Sequence, residues 1–350
     1  MAETYQRGAA IRRGTAEALK AMKQLNLDQL WELNLLYQSA RDRLVKRYVA
    51  MASDQQLRVQ HLDSILGLIK EVMSSVGTDQ RQIITQGITQ AAGIGAGVLQ
   101  HAQLPLIADG TQAVRAVWHL KQADGLQLSD RLWRLDLDAT RILRDEISLA
   151  LVQGDNALTA AREFAAAGLP VQGGLPHAAS VEKLSTLTSS ILLNREGNLL
   201  DNAQRVFRTE MARAQTLAYI DAMESMGEGS GLVGYRFRLG ANHKRTDICD
   251  VHAGANLYGL GRGVYPAAVI RRLYPAHPNT TSYIQAVFED ELSPDDKQTD
   301  QNRVAWLLQQ SAADQDAILG KQKGAWLREG KLTDAMLNTP MRVLEKRLDP

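Results

Sequence analysis

The stretch NLLDNAQRVFRTEMARAQTLAYIDAMESM, residues 198–226, decides the fold of the C-terminal half together with LVGYRFRLG, residues 232–240. The first stretch repeats apolar residues at three- and four-residue steps, which is the spacing of an amphipathic helix. The second alternates apolar residues with glycine and arginine, which is the period of a half-buried strand. With a short apolar run near 283–288 as a second strand, this half is predicted to be a small α+β domain. The stripe that the helix is expected to bury consists of Leu199, Ala203, Val206, Phe207, Met211, Ala214, Leu217 and Ile220.

The N-terminal part is predicted to be almost continuous helix. No proline occurs before Pro105, and proline is the residue that helix interiors exclude. Two stretches within it, 26–48 and 57–76, repeat apolar residues with helical spacing, and Asn26 or Asp28 is the predicted N-cap of the first. The glycines of AAGIGAGVL, residues 91–99, indicate either a kink or a close helix crossing.

Proline and glycine placement divides the rest of the chain, because both residues mark element boundaries. The sequence predicts a mainly α protein with a helical middle segment and a small α+β C-terminal domain, which has a short β element and irregular Gly/Pro-rich loops. The predicted segments are a long, extended helical arm at 1–104, the middle segment at 105–168, a linker at 169–180, the α+β domain at 181–335 and a C-terminal tail at 336–350.

Composition excludes several classes of protein. The chain has 40 Lys and Arg against 39 Asp and Glu, which argues against a polybasic protein that coats nucleic acid. Its single cysteine, Cys249, excludes an intrachain disulfide, and nothing requires an oxidising compartment. The longest run of apolar and small residues, 91–99, is about half of what a bilayer span needs. We therefore expect an intracellular, soluble chain with neither a signal peptide nor a membrane span.

The stretch HKRTDICDVHAG, residues 243–254, holds the candidate chemistry. Cys249 and His252 have a C-x2-H spacing, and His277 is a third candidate ligand, with Asp247 or His243 as a fourth; zinc accepts such donors. A second interpretation is a catalytic thiol, with His252 or His277 as its base. The ordinary alternative is a metal-free core in which the cysteine is a small buried residue and the histidines are polar core residues.

Two further features allow contact with phosphate. The loop GLGRGVYP, residues 259–266, alternates glycines and is either a backbone cradle for phosphate or a tight structural turn. Arginines on the helix and near residue 271 either contact DNA phosphates or pair locally with acids. The candidate DNA contacts are Arg205, Arg208, Arg213, Arg271 and Arg272.

The order of these motifs resembles the phage head morphogenesis, or Mu F-like, minor head proteins of tailed bacteriophages. The resemblance covers about residues 125–330 and also includes HPNTTSYIQAVFEDEL, residues 277–292. The positions that match the family's motifs are Arg208, Thr209 and Glu210 on the helix, Arg245, Thr246, Asp247 and Cys249 in the loop, and His277, Pro278 and Asn279 in the histidine-proline turn. The family often continues that turn with Cys-Arg, whereas this chain has Thr280 and Thr281. This departure removes a thiolate partner for Cys249.

What the resemblance implies is a structural component of the virion rather than an enzyme, without a cofactor. Such a protein would be associated with the portal vertex or the inner face of the capsid and would be assembled in the host cytoplasm. Its expected partners are the portal protein, the major capsid protein or both, and packaged double-stranded DNA. The rival hypothesis is a metal-dependent hydrolase or toxin-like enzyme, in which zinc bound by Cys249, His252 and His277 would activate water.

Overall fold

The computed structural model of the protein describes residues 2–105, 108–121, 125–153, 178–194, 197–241, 243–300, 302–337, 339 and 341–348. Within them the chain is predominantly helical, with two small sheets, which confirms the predicted mainly α class with a small α+β part. Among the described residues, no helix combines the length and the apolar character that a bilayer crossing requires.

The two long N-terminal helices are Ala2–Met51 and Leu62–Ala96. The predicted N-cap at Asn26 or Asp28 is wrong, because the first helix runs through both positions. The carboxylate of Asp28 accepts a hydrogen bond from the side chain of Gln24 on the same helix instead of capping a new one. A cap contributes only about 1 kcal/mol, so an uninterrupted run of good helix formers overrides it.

Shorter elements complete the fold. Within the described residues the remaining α-helices are Val98–His101, Thr111–His119, Leu128–Gln153, Val181–Ser189, Leu199–Glu224, Ile248–Gly254, Ala267–Leu273, Arg303–Leu308, Ala312–Leu319, Lys321–Arg328 and Met341–Leu348, with a π-helical turn at Ser190–Asn194. Short 3-10 turns lie at Val59–His61, Glu228–Ser230, Glu289–Glu291, Pro294–Lys297 and Asp334–Met336. The strands are β1 Gln56–Arg58, β2 Ala178–Ser180, β3 Leu232–Arg238, β4 Val264–Tyr265 and β5 Tyr283–Phe288.

Contacts between residues divide the chain into two compact units. The sheet unit comprises Met1–Lys23, Ile88–Ala116 and Met211–Pro350, and the helical unit comprises Gln24–Gly87 and Val117–Glu210. Each unit takes residues from all three of the predicted segments 1–104, 105–168 and 181–335. The predicted segments are therefore not the compact units, and they stay predictions. Of the predicted linker, 169–177 lies outside the described residues and 178–180 forms β2; the predicted tail at 336–350 contains the helix Met341–Leu348.

The helical unit is held by apolar stripes and a few buried polar contacts. In the first helix Leu33, Tyr37, Leu44 and Tyr48 are buried, as their spacing predicts. The hydroxyl of Tyr48 lies 3.3 Å from Thr188 Oγ1. A two-stranded antiparallel sheet pairs β1 with β2.

The sheet unit is built around a three-stranded antiparallel sheet in the order β4-β3-β5. Tyr235 and Phe237 on β3 are buried, as the alternation of that strand predicts. The core of this unit also takes Ile11 and Ala18 from the first helix and Val98 from the short helix after the glycine-rich stretch. A second, smaller cluster joins the C-terminal helices and consists of Val251, Leu307, Trp326, Leu327, Leu332, Leu337 and Leu344.

A close helix crossing in the sheet unit involves Gly95. A Cβ at this position would lie 2.1 Å from the carbonyl oxygen of Gln215 and 3.0 Å from the amide nitrogen of Tyr219. Both are backbone atoms of the helix Leu199–Glu224. The glycine-rich stretch therefore forms the predicted crossing, and its helix ends one residue later at Ala96.

Candidate functional site

The loop that precedes the helix Ile248–Gly254 is fixed by a capping box. Asp247 is the N-cap, and its Oδ1 accepts a hydrogen bond from the backbone N–H of Cys249 at 2.7 Å. In return, Asp250 Oδ2 accepts the backbone N–H of Asp247 at 2.8 Å. The two carboxylates of the D-x-x-D motif thus accept hydrogen bonds from backbone N–H groups that would otherwise be unpaired at the helix start.

Two histidines flank this helix start. His243 Nε2 lies 2.9 Å from Asp250 Oδ2, and His277 Nε2 lies 3.3 Å from Asp247 Oδ2. This second contact is long and poorly directed for a hydrogen bond, so among the described residues the buried His277 Nε2 has no hydrogen-bond partner. The ring of His277 is oriented from its other side, where Nδ1 lies 2.8 Å from the carbonyl oxygen of Pro278.

Cys249 is fully buried, and its sulfur contacts Thr280 Oγ1 at 3.4 Å. Thr280 is the residue that stands where the resembled family often has cysteine. Burial raises the pKa of the Cys249 thiol to about 11, despite the opposing hydrogen bonds from Thr280 and Ser282. The neutral thiol therefore dominates near pH 7, which is the wrong state for a nucleophile.

His252 occupies a different environment from His277. It is 4% exposed, and its ring packs against Phe237 and Tyr265 at centroid distances of 5.5 Å and 6.4 Å. Burial, together with the charge of Arg303, lowers the pKa of His252 to about 3. The imidazole is therefore neutral over the physiological range.

The donor atoms of Asp247, Cys249 and His277 lie within 4.8 Å of one another, as do those of His243, Asp247 and Asp250. Among the described residues, His252 belongs to neither group. The structure thus brings together two of the three predicted metal ligands, Cys249 and His277, but the third donor beside them is Asp247. Sulfur, imidazole and carboxylate form a donor set that zinc accepts, and the unbonded His277 Nε2 fits such a ligand. Binding would require the buried thiol to lose its proton.

The other motif residues are mostly structural in their contacts. Thr209 donates its hydroxyl to the carbonyl oxygen of Arg205 at 2.7 Å, and Glu210 is buried. In the loop and the turn, Arg245 and Pro278 are exposed, and Asn279 has a φ of 64°, which turns the chain. Thr246 is half-buried.

The candidate DNA contacts differ in exposure. Arg213 is buried, and Arg271 binds Asp221 at 2.6 Å as well as Glu224. Arg208 is half-buried, and burial lowers the pKa of its guanidinium. Exposed guanidinium groups are therefore found only at Arg205 and Arg272 among these candidates.

The glycine loop is a structural turn whose amides are used within the sheet unit. Gly259, Gly261 and Gly263 all have positive φ. The N–H of Gly263 donates to Ala255, and the N–H of Val264 donates to Gly261. These amides are not free to cradle phosphate. Arg236 and Arg238, the charged positions in the alternation of β3, line a groove beside this loop.

The thiol of Cys249 should react slowly in the folded protein. With its pKa raised to about 11, the thiolate fraction at pH 8 is lower than that of a thiol with the ordinary value of 9. We therefore expect labelling by a disulfide reagent to be at least about a hundredfold slower than in the urea-unfolded chain, since the thiolate is the reacting form. The measurement is a stopped-flow time course with Cys249→Ser as the background. Labelling at equal rates in both states would show that the thiol is accessible and activated.

Comparison of the chain with known proteins finds no relative whose site could be compared with this one. No protein-family model, no curated protein and no solved structure matches the chain.

Proposed function

We propose that this protein is a structural minor head protein of a tailed phage. In this proposal it is a virion component, bound to the portal or the inner capsid after assembly in the host cytoplasm, and acts in head assembly, DNA packaging or DNA delivery. The proposal rests on the ordered motifs of residues 125–330 and on the resemblance they create. Packaged DNA, the portal protein and the major capsid protein are the proposed partners.

One observation supports a structural role over a catalytic one. The groups of the loop that could perform chemistry make structural contacts instead. Asp247 caps the helix, and the thiol of Cys249 contacts Thr280. His252 is a neutral residue inside the core. A nucleophile or general base requires an accessible group with a pKa near the working pH. Neither Cys249 nor His252 meets that requirement.

Docking on another protein is supported by an exposed apolar stripe on the first helix. Leu27, Trp31 and Leu35 are 54%, 63% and 41% exposed, and their four-residue spacing places them along one face. Large exposed apolar side chains in a row are typical of a surface that a partner covers. We propose that this stripe, within the predicted arm at 1–104, contacts portal or capsid subunits.

A point substitution tests the docking surface better than a deletion, because Ile11 and Val98 belong to the core of the sheet unit. Trp31→Glu should lower the copy number of the protein in purified heads at least about tenfold, since one central aromatic often contributes 2 kcal/mol or more to an interface. Ala50→Glu, an exposed position on another face of the same helix, introduces the same charge and should leave the copy number unchanged. The readout is a quantitative immunoblot of gradient-purified heads, with thermal unfolding as the control for folding. Full incorporation of Trp31→Glu would contradict the docking surface.

The rival hypothesis of a zinc hydrolase is favoured by one observation, the unbonded His277 Nε2 beside Asp247 and Cys249. Metal analysis of the purified chain separates the two hypotheses. One equivalent of zinc that is lost in Cys249→Ser, together with phosphodiester turnover that is lost in the same variant, would replace the structural proposal with the enzymatic one. Electron microscopy of assembled heads that locates the chain at the portal vertex would support the structural one.

A further inference from the structure

The sheet unit contains a groove of about 960 Å³ whose two walls carry opposite charges. Arg236 and Arg238 of β3 and Arg262 of the glycine loop form one wall, whereas Asp295, Asp296 and Asp300 form the other. Tyr283, a half-buried residue at the start of β5, also lines the groove. Its volume lies within the range of small-molecule sites, which is about 300–1,000 Å³.

Within the arginine wall, Arg236 lacks an anionic partner among the described residues. The half-buried guanidinium of Arg236 makes no ion pair or hydrogen bond with another described residue. Burial lowers the pKa of Arg236, and the neighbouring charge of Arg238 lowers it further, while Glu291 and Asp296 oppose this from beyond ion-pair distance. A charged group in this position is costly unless an acceptor approaches it. A phosphate would supply oxygens in the geometry that guanidinium forks bind.

Two of the three aspartates in this wall, Asp296 and Asp300, are positioned by hydrogen bonds with Asn256 and Ser293. Asp300 Oδ2 accepts the N–H of Asn256 at 2.8 Å, and the side-chain amide of Asn256 donates to the carbonyl oxygens of Asp296 and Gln298. Asp296 Oδ2 also accepts the N–H and the hydroxyl of Ser293, both at 2.8 Å. Carboxylates fixed in this way have further lone pairs for a ligand's hydroxyl or amino groups.

Gly261 keeps the space between the two walls open. Its φ is 95°, and a Cβ here would lie 2.7 Å from Asp296 Oδ1 and 3.6 Å from Arg236 Nη2. Any side chain would therefore fill the gap that separates the guanidinium from the carboxylate. This opening is a second feature of the groove that is independent of its charge.

We propose that this groove binds a nucleoside monophosphate. Its phosphate would lie against Arg236 and Arg262, its ribose hydroxyls or base amino group would donate to the aspartate wall, and its base would stack on Tyr283. A site of this kind goes beyond the structural role proposed above and does not depend on it. Duplex DNA is disfavoured as the ligand, because the aspartate wall would repel the continuous phosphates of a long polyanion.

The test is isothermal titration calorimetry of the full chain with AMP, adenosine, inorganic phosphate and a short DNA duplex. We expect saturable binding of AMP, with adenosine and phosphate each at least about tenfold weaker, since each lacks the contacts of one wall. Arg262→Gln alters an exposed side chain and should weaken AMP binding about tenfold, which corresponds to 1.4 kcal/mol. Arg236→Gln should do the same.

The control is Lys244→Gln, which removes a charge from an exposed position outside the groove and should leave AMP binding unchanged. The melting temperature of each variant separates lost binding from lost folding. Three results would overturn the proposal: no AMP binding at millimolar concentration, equal affinity for AMP and adenosine, or AMP binding that is unaffected in folded Arg262→Gln. Tight duplex binding without AMP binding would also overturn it and would assign the groove to DNA.

Discussion

Gly95→Ala is expected to be among the most destabilising single-methyl changes in this protein. The added Cβ would approach the carbonyl oxygen of Gln215 to 2.1 Å, and that oxygen belongs to the backbone of a long helix. A flexible side chain could turn away, but a helix backbone must shift as a body. Overpacking of this kind costs about 1–3 kcal/mol when side chains can adjust, and we expect at least the upper end here. The measurement is the midpoint of urea unfolding followed by circular dichroism.

The same helix supplies a matched control at Gly93. A Cβ there would meet no atom of the described residues within 4 Å, and the backbone is helical. Gly93→Ala should therefore stabilise the protein by up to about 1 kcal/mol, because alanine loses less backbone entropy in a helix. Equal midpoints for the two variants would show that the crossing at Gly95 is not tightly packed.

The second large effect concerns acid stability and His252. Burial lowers the pKa of this imidazole from 6.5 to about 3, so the unfolded chain binds a proton there at pH values where the folded protein does not. The contribution of His252 to stability is therefore complete above pH 6.5 and is lost as the pH falls from there toward 3. The slope from this one residue approaches about 1.4 kcal/mol per pH unit within that window.

His252→Leu should remove this part of the pH dependence, because leucine fills a similar volume without titrating. Between pH 8 and pH 4 the urea midpoint should therefore fall less steeply for the variant than for the unchanged protein, whatever the difference between the two midpoints at pH 8. The control for the loss of a histidine outside the core is the exposed His119, changed to leucine. A slope that is the same with and without His252 would show that its ring accepts a proton in the folded state.

Local periodicity made much of the fold predictable from sequence. Leu33 and Tyr48 of the helical stripe are buried as expected, and so are Tyr235 and Phe237 of the alternating strand. Each pattern is predictive because the apolar positions lie on the face that packs against the core. The start of the first helix was not predictable in this way. A polar residue such as Asp28 fits a cap or an exposed helical position equally well, and only its contact with Gln24 decides between them.

The candidate site was only partly predictable for a different reason. Cys249 and His277 do meet, but the spacing C-x2-H suggested His252 as their companion. The N-cap position turns the carboxylate of Asp247 back over the helix start, where it approaches His277, while His252 packs on Phe237. Tertiary packing determines which side of a short helix faces the sheet, and the spacing of residues along the sequence does not determine this orientation.

The hydroxyl of Tyr219 ties together parts of the chain that are synthesised far apart. It lies 3.3 Å from Thr15 Oγ1 and accepts the backbone N–H of Ala286 at 2.9 Å. Arg12 also pairs with Glu291. A ribosome must therefore release nearly three hundred residues before this unit can close around residues 11–18. Until then the early helix exposes an apolar face, so chaperone occupancy should persist until late in translation.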